Sequence, residues 1–147
     1  MRIRGAVTIN APIDAAWSAL ADIASHVHWM ADAESIRFTS PSRTGLGTTF
    51  ECVTRVGPLR TTDKMSVTAW DEPHRIGVAH TGIVVGAGAF ELAAINARVT
   101  QLSWTEDLRF PWFLGGVVTA FLARPVLKRL WMGNLVRFKG ITEASNL

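Results

Sequence analysis

Three ionisable side chains, Asp63, His80 and Glu106, alternate into the apolar faces of strand-like segments. In the run 59–70 the apolar set Met65, Val67 and Ala69 carries Asp63 with it. In 75–80, Ile76 and Val78 carry His80, and in 99–109, Leu102, Trp104 and Leu108 carry Glu106, because side chains two apart share one face of a strand. A charged group in apolar surroundings is costly, so it shifts its pKa or finds a partner, and groups of that kind serve as general acids and bases. The matching chemistry is orienting or protonating a ligand carbonyl or hydroxyl, as enolisation or cyclisation requires. Pairing the strands through their turns sets Met65 opposite His80 and Cys52 opposite Asp63, which makes Asp63 and His80 diagonal neighbours. It also sets Gly86 or Gly88 beside Glu106, with open space at the carboxyl group. A purely structural role, hydrated at a cavity mouth or paired with Arg55, Arg98 or Arg109, fits the same pattern.

The other candidates for chemistry are weaker. His26, His28, Asp32 and Glu34 sit close together, but in a short helix and loop without further ligands at metal spacing, so no metal site is expected. Cys52 shares a face with Phe50 and has no neighbouring signal for thiolate activation, so it reads as a small buried hydrophobe. Trp17 and Trp29 read as core packing between short helices and a sheet. The expected cavity walls are Phe50, Met65 and Val67, then Ile76 and Val78, then Phe90, Trp104 and Leu108, with Val117, Phe121 and Trp131 from the C-terminal segment, since small-molecule sites are mainly apolar and aromatic.

The elements that must position these residues follow from periodicity. Residues 2–9 alternate as a half-buried strand, and Ile13, Ala16, Trp17 and Leu20 then fall at helical spacing after Pro12, with a short helix following Asp22. Short strands are predicted over 36–39, 48–56, 59–70, 75–80, 84–94 and 99–109. Their tight turns favour a meandering antiparallel sheet. After Pro111 the period is helical to about Thr142, and Pro125 is expected to kink the helix.

With 147 residues the chain is expected to form one domain (1–147), large enough for a core without disulfides, and its single cysteine gives no internal bridge. The first residues move straight into strand alternation with no apolar leader core, so cytoplasmic residence is the default expectation. The net charge of +3 is spread in ones and twos, which argues against a nucleic-acid partner. Mean hydropathy is positive, +0.21, an apolar excess that implies a cavity, an interface or a membrane-facing surface. In the most apolar stretch, Phe110 to Trp131, the uninterrupted part Phe110 to Ala123 is 14 residues, short of the roughly 20 needed to span a bilayer.

The order strand, two short helices, about six strands and one long helix, together with Ala11, Pro12, Asp14, Trp17, Asp22 and Trp29, "GLGTTFE" (45–51) and "AWDEPHRI" (69–76), resembles the START and birch-pollen-allergen superfamily (SRPBCC), in its polyketide cyclase/dehydrase-like branch. The resemblance covers nearly the whole chain. It implies an α+β helix-grip fold, a curved antiparallel sheet of six to seven strands around a long C-terminal helix, with two short helices after the first strand. It also implies a cavity for lipids, polyketides, quinones or other apolar molecules between sheet and helix, and it transfers no catalytic motif. Binding or carriage of a hydrophobic small molecule is the leading expectation, with no cofactor. A polyketide aromatase/cyclase or dehydratase using Asp63, His80 and Glu106 is the second, and a protein-interaction or toxin-like regulatory module the third. The outer face of the last helix leaves contact with a membrane surface, or with a second copy in a homodimer, as open partners.

Overall fold

A computed structural model describes residues 1–147. Seven strands form one antiparallel sheet: β1 (Arg2–Ile9), β2 (Ala33–Phe38), β3 (Thr49–Val56), β4 (Leu59–Asp71), β5 (Arg75–Thr81), β6 (Val85–Asn96) and β7 (Val99–Arg109). Their spatial order is β1-β7-β6-β5-β4-β3-β2. Strands β2 to β7 are a simple meander, and β1 closes the far edge by pairing with β7 from Arg2 opposite Asp107 to Ile9 opposite Thr100. Helix α1 (Ile13–Ala21) and a 3-10 segment, Ile23–His28, connect β1 to β2. Helix α2 (Gly116–Ser145) follows β7 after a 3-10 turn at Trp112–Leu114 and lies against the inner face of the sheet, giving the helix-grip arrangement.

The core lies where α2 meets the concave face. Ile3, Leu102 and Trp104 from the sheet pack with Leu127, Trp131, Leu135 and Phe138 of the helix and with Trp17, Leu20 and Trp29 from the connecting segment. Trp17 meets Trp70 edge-on at 5.3 Å and Trp29 meets Phe138 at 5.0 Å, so both tryptophans serve packing. Gly5 lies directly under α2: a Cβ there would sit 2.7 Å from the Met132 sulfur and 3.1 Å from a Leu135 methyl, and its absence lets the helix lie close on β1 without shifting those side chains.

Helix α2 is held mainly by its second half. Six of its seven buried residues, from Leu127 to Thr142, follow Pro125, and only Ala120 precedes it. The helix runs unbroken through Pro125, although the missing N–H leaves one backbone carbonyl without its usual intrahelical donor. Strand β2 starts at Ala33 rather than Ile36 because an irregularity between Ala33 and Ser35 lets this polar stretch follow β3 despite its broken alternation.

Candidate functional site

Between the sheet and α2 lies a cavity of about 350 Å³. Its walls hold most of the residues that alternation points inward: Phe50, Met65, Ile76, Val78, Phe90, Trp104 and Leu108 from the sheet, and Trp131 from the helix. Phe90, Trp104 and Trp131 form a continuous aromatic wall, with ring centroids 4.7 and 5.3 Å apart.

Three expected wall residues lie elsewhere. Val67 is buried in a satellite cluster with Ile23, Ala33, Phe50 and Cys52, where the β4–β5 register shifts between Val67 and Ala69. Val117 and Phe121 are 85% and 76% exposed. The first turns of α2 are apolar all round, so periodicity does not identify their inner side; Thr119, Ala123 and Leu127 line the cavity instead, spaced four apart.

Asp63, His80 and Glu106 all face this cavity. Cys52 stands opposite Asp63 and Met65 opposite His80, as the turns imply. Among the three, however, the direct contact joins His80 to Glu106: the imidazole Nε2–H donates to Glu106 Oε1 at 3.1 Å, and both side chains are 11% exposed. These residues lie on β5 and β7, with β6 between them, so they are separated by roughly two strand spacings. What lets them meet is glycine at two inward positions of β6. Gly86 pairs with His80 and Gly88 with Glu106. A Cβ at Gly86 would lie 2.7 Å from His80 Nε2, and one at Gly88 would lie 2.7 Å from the Glu106 carboxyl carbon. The pattern "VGAGAF" at 85–90 was the available signal, since its inward positions read glycine, glycine, phenylalanine.

Asp63 has a separate shell. The Thr54 hydroxyl donates to its Oδ2 at 3.0 Å and the Thr61 hydroxyl to its Oδ1 at 3.4 Å. One side of the cavity therefore carries a short polar strip of Thr54, Thr61, Asp63, His80 and Glu106, while the remaining walls are mainly apolar, with His26, Asp32 and Thr119 among them. Arg55 is near Glu34, at 3.7 Å, rather than any of the three acid-base candidates.

Burial opposes charge on His80, but the hydrogen bond and charge of Glu106, the charge of Asp63 and the backbone of Val84 outweigh it, so its pKa rises above the ordinary histidine value. His26 behaves in the opposite way. It is buried, its Nε2–H donates to the Leu20 carbonyl at 2.7 Å, and burial pushes its pKa down to about 4 despite that bond and the charge of Asp22. The other members of the histidine-acid group are engaged singly: His28 is exposed, Asp32 accepts from Asn134 at 2.9 Å, and Glu34 accepts from Arg60 at 2.9 Å. Burial raises the Cys52 thiol to about 11, which keeps it protonated and unreactive at neutral pH.

These two histidines set opposite slopes in stability against pH. His26, depressed in the folded state, makes unfolding take up a proton. Its contribution is complete above about pH 6.5 and is lost as pH falls towards 4, roughly 3 kcal/mol in all. His80, raised in the folded state, contributes fully below 6.5 and loses that contribution as pH rises through its folded pKa. Urea midpoints between pH 4 and 9 are expected to peak near 6.5, and His26→Gln to flatten only the acid limb.

Residues 1–140 match the family model described as "Polyketide cyclase / dehydrase and lipid transport". A search among curated proteins finds no significant match by sequence. Among solved structures, a conserved protein from Geobacillus kaustophilus superimposes with TM-score 0.81 at 16% identity, covering 100% of this chain and 98% of that one. The Zhui aromatase/cyclase from Streptomyces gives 0.78 at 22% identity, covering 97% and 93%, and a START superfamily protein from Mycobacterium smegmatis gives 0.70 at 12%, covering 99% and 96%. At these identities the structural likeness speaks for the fold alone, whereas the family model spans nearly all of the sequence. With the curved sheet, the gripping helix and the match over residues 1–140 in agreement, the chain belongs to the polyketide cyclase/dehydrase and lipid-transport family.

Proposed function

We propose that the protein binds a hydrophobic small molecule in the cavity between sheet and helix and holds an oxygen-bearing group of that molecule against the polar strip at His80 and Glu106. The observation that carries this reading is the combination of an apolar cavity of about 350 Å³ with a single buried ion pair in its wall. The volume suits a drug-sized ligand, and such sites pair mostly apolar walls with a few placed polar groups. The indole N–H of Trp131, a lining residue, has no protein partner and adds a further donor. The family description, which joins cyclases with lipid transport, supports a ligand-binding or cyclase role in general terms.

Native mass spectrometry of the purified protein, before and after exposure to medium-chain alcohols, quinones and aromatic polyketide mimics, tests the reading. A retained or acquired apolar ligand is expected, and Val78→Phe, which adds bulk to the wall, is expected to weaken binding at least about tenfold. No retained ligand and no acquired mass across that panel would overturn it.

The His80–Glu106 pair favours a second reading, acid-base catalysis on the bound molecule. A histidine with a raised pKa can give its Nε2 proton to a ligand carbonyl oxygen that takes the place of Glu106 Oε1, and the carboxylate so released can accept a proton from carbon. On this reading His80→Gln lowers turnover of an identified substrate by about 10²- to 10⁴-fold while ligand binding persists. Unchanged turnover in both His80→Gln and Glu106→Gln would leave carriage alone.

A further inference from the structure

Where α2 begins, the molecule presents an apolar surface that nothing in the chain covers. Trp112, Phe113, Val117, Val118, Phe121 and Leu122 are all exposed, Trp112 at 87% and Val118 at 67%. Beyond them along the helix come Arg124, Lys128 and Arg129, also exposed. Between Asp107 and Glu143 the sequence has six basic residues and no acidic one. The helix is thus divided along its axis as well as around it, with a greasy tip followed by a basic collar. At 1.5 Å per residue, the collar from Arg124 to Arg129 stands roughly 5 to 12 Å behind Phe121.

Those dimensions match a lipid interface. Apolar faces of interfacial helices sink about 5 to 10 Å, to the boundary of headgroups and acyl chains. A tip seated at that depth carries its collar at the level of the phosphates. The charge distribution disfavours a second copy of the chain, because two such tips brought together would oppose basic collars with no carboxylate to offset them. It also disfavours a specific protein partner. From Trp112 to Leu122 the polar side-chain groups are the Thr119 hydroxyl, which donates to the Leu114 carbonyl, and the Trp112 indole N–H, so the patch offers one free donor where protein interfaces use several hydrogen-bonding groups. No helix is long and apolar enough to cross a membrane, which leaves shallow seating as the mode of contact.

We propose that this tip docks the protein onto an anionic lipid surface, with Trp112, Phe113, Val117 and Phe121 among the acyl chains and Arg124, Lys128 and Arg129 on the phosphates. Thr119 and Ala123 belong to the first turns of α2, Phe110 directly precedes the tip, and all three line the cavity. Docking therefore brings one wall of the cavity to the bilayer, where an apolar ligand can pass between lipid and protein without crossing water. Docking needs no loaded cavity, so it stands or fails separately from the ligand-binding reading.

The test is co-sedimentation of the full chain with large vesicles of phosphatidylcholine alone, or of phosphatidylcholine with phosphatidylglycerol at 3:1, at low and high salt. Binding to the anionic vesicles, weakened by salt, is expected. Phe113→Ser with Val117→Ser, and separately Arg124→Glu with Lys128→Glu, are each expected to lower the partition coefficient at least about tenfold. All four side chains are exposed, so both variants should keep the wild-type near-UV circular dichroism. The proposal is overturned if wild type stays in the supernatant with anionic vesicles at low salt, or if the serine variant binds them as tightly as wild type. It is equally overturned if wild type is a dimer that the serine pair dissociates while vesicle binding is unchanged, since the tip would then belong to a second copy.

Discussion

Asn134→Leu is expected to destabilise the protein by about 3 kcal/mol, read as a fall in the urea midpoint at unchanged slope. Asn134 is fully buried on α2 and serves as a connector. Its Oδ1 accepts the backbone N–H of Ala31 at 3.0 Å and an N–H of Arg137, while its Nδ2 donates to Asp32 Oδ1. Arg137 in turn donates through Nε to the Trp29 carbonyl at 3.0 Å. Leucine would match the volume but strip a partner from a backbone donor, from a carboxylate and from a guanidinium at one stroke. Each group left unsatisfied out of water costs about 1 to 3 kcal/mol, and partial access to solvent keeps the total below the sum. Asn134→Asp distinguishes connectivity from packing. It retains the acceptor for Ala31 and Arg137 but faces Asp32 with a like charge, so it should lose stability most strongly where both carboxylates are ionised.

This connector also explains how the protein combines a rigid core with an exposed tip. The network fastens the second half of α2 to the segment after the 3-10 helix, and Leu135 and Phe138, both almost fully buried, fasten it to the sheet. Before Pro125 only Ala120 is buried, so the apolar first turns, although Thr119 and Ala123 line the cavity, leave most of their surface exposed.

The strand alternation was legible because one face of this sheet is wet and the other dry. β7 runs over residues 99–109 as its pattern predicts, and the pairing of Cys52 with Asp63 and Met65 with His80 follows from the turns alone. The inner side of α2 before Pro125 was not legible. A helix apolar on every side carries no phase, so its pattern does not separate Val117 and Phe121, which are exposed, from Thr119 and Ala123, which line the cavity. The pairing of His80 with Glu106 is not legible for a different reason. Diagonal neighbours lie on adjacent strands, and Asp63 is the nearest acid on one. The actual partner lies one strand further away, reached over two glycines, so the open space beside Glu106 is the route by which its carboxylate meets His80. Asn134 is likewise silent in the sequence, because Ala31 and Asp32, the partners it joins to the helix, are more than 100 positions away and no local pattern announces them.

Gly88→Ala is expected to have the largest effect at the site, a loss of about 3 to 5 kcal/mol together with a fall in the pKa of His80. The added Cβ would lie 2.5 Å from the Thr105 carbonyl oxygen and 2.7 Å from the Glu106 carboxyl carbon. The first contact is with backbone, so the β6–β7 ladder must open locally; the second pushes Glu106 away from its place above Gly88. His80 then loses the hydrogen bond and the nearest negative charge that hold its pKa up, while the burial that lowers it stays. Histidine titration by NMR should show the pKa moving down towards, or below, the ordinary value. Glu106→Gln separates the two consequences. It leaves the backbone and most of the packing intact, so stability should fall less, yet it removes the same charge from beside the imidazole and should lower the His80 pKa as well. A Gly88→Ala protein with unchanged stability and an unchanged His80 titration would mean that Glu106 does not need the vacant position on β6, and the bridge across that strand would have to be abandoned as the basis of the site.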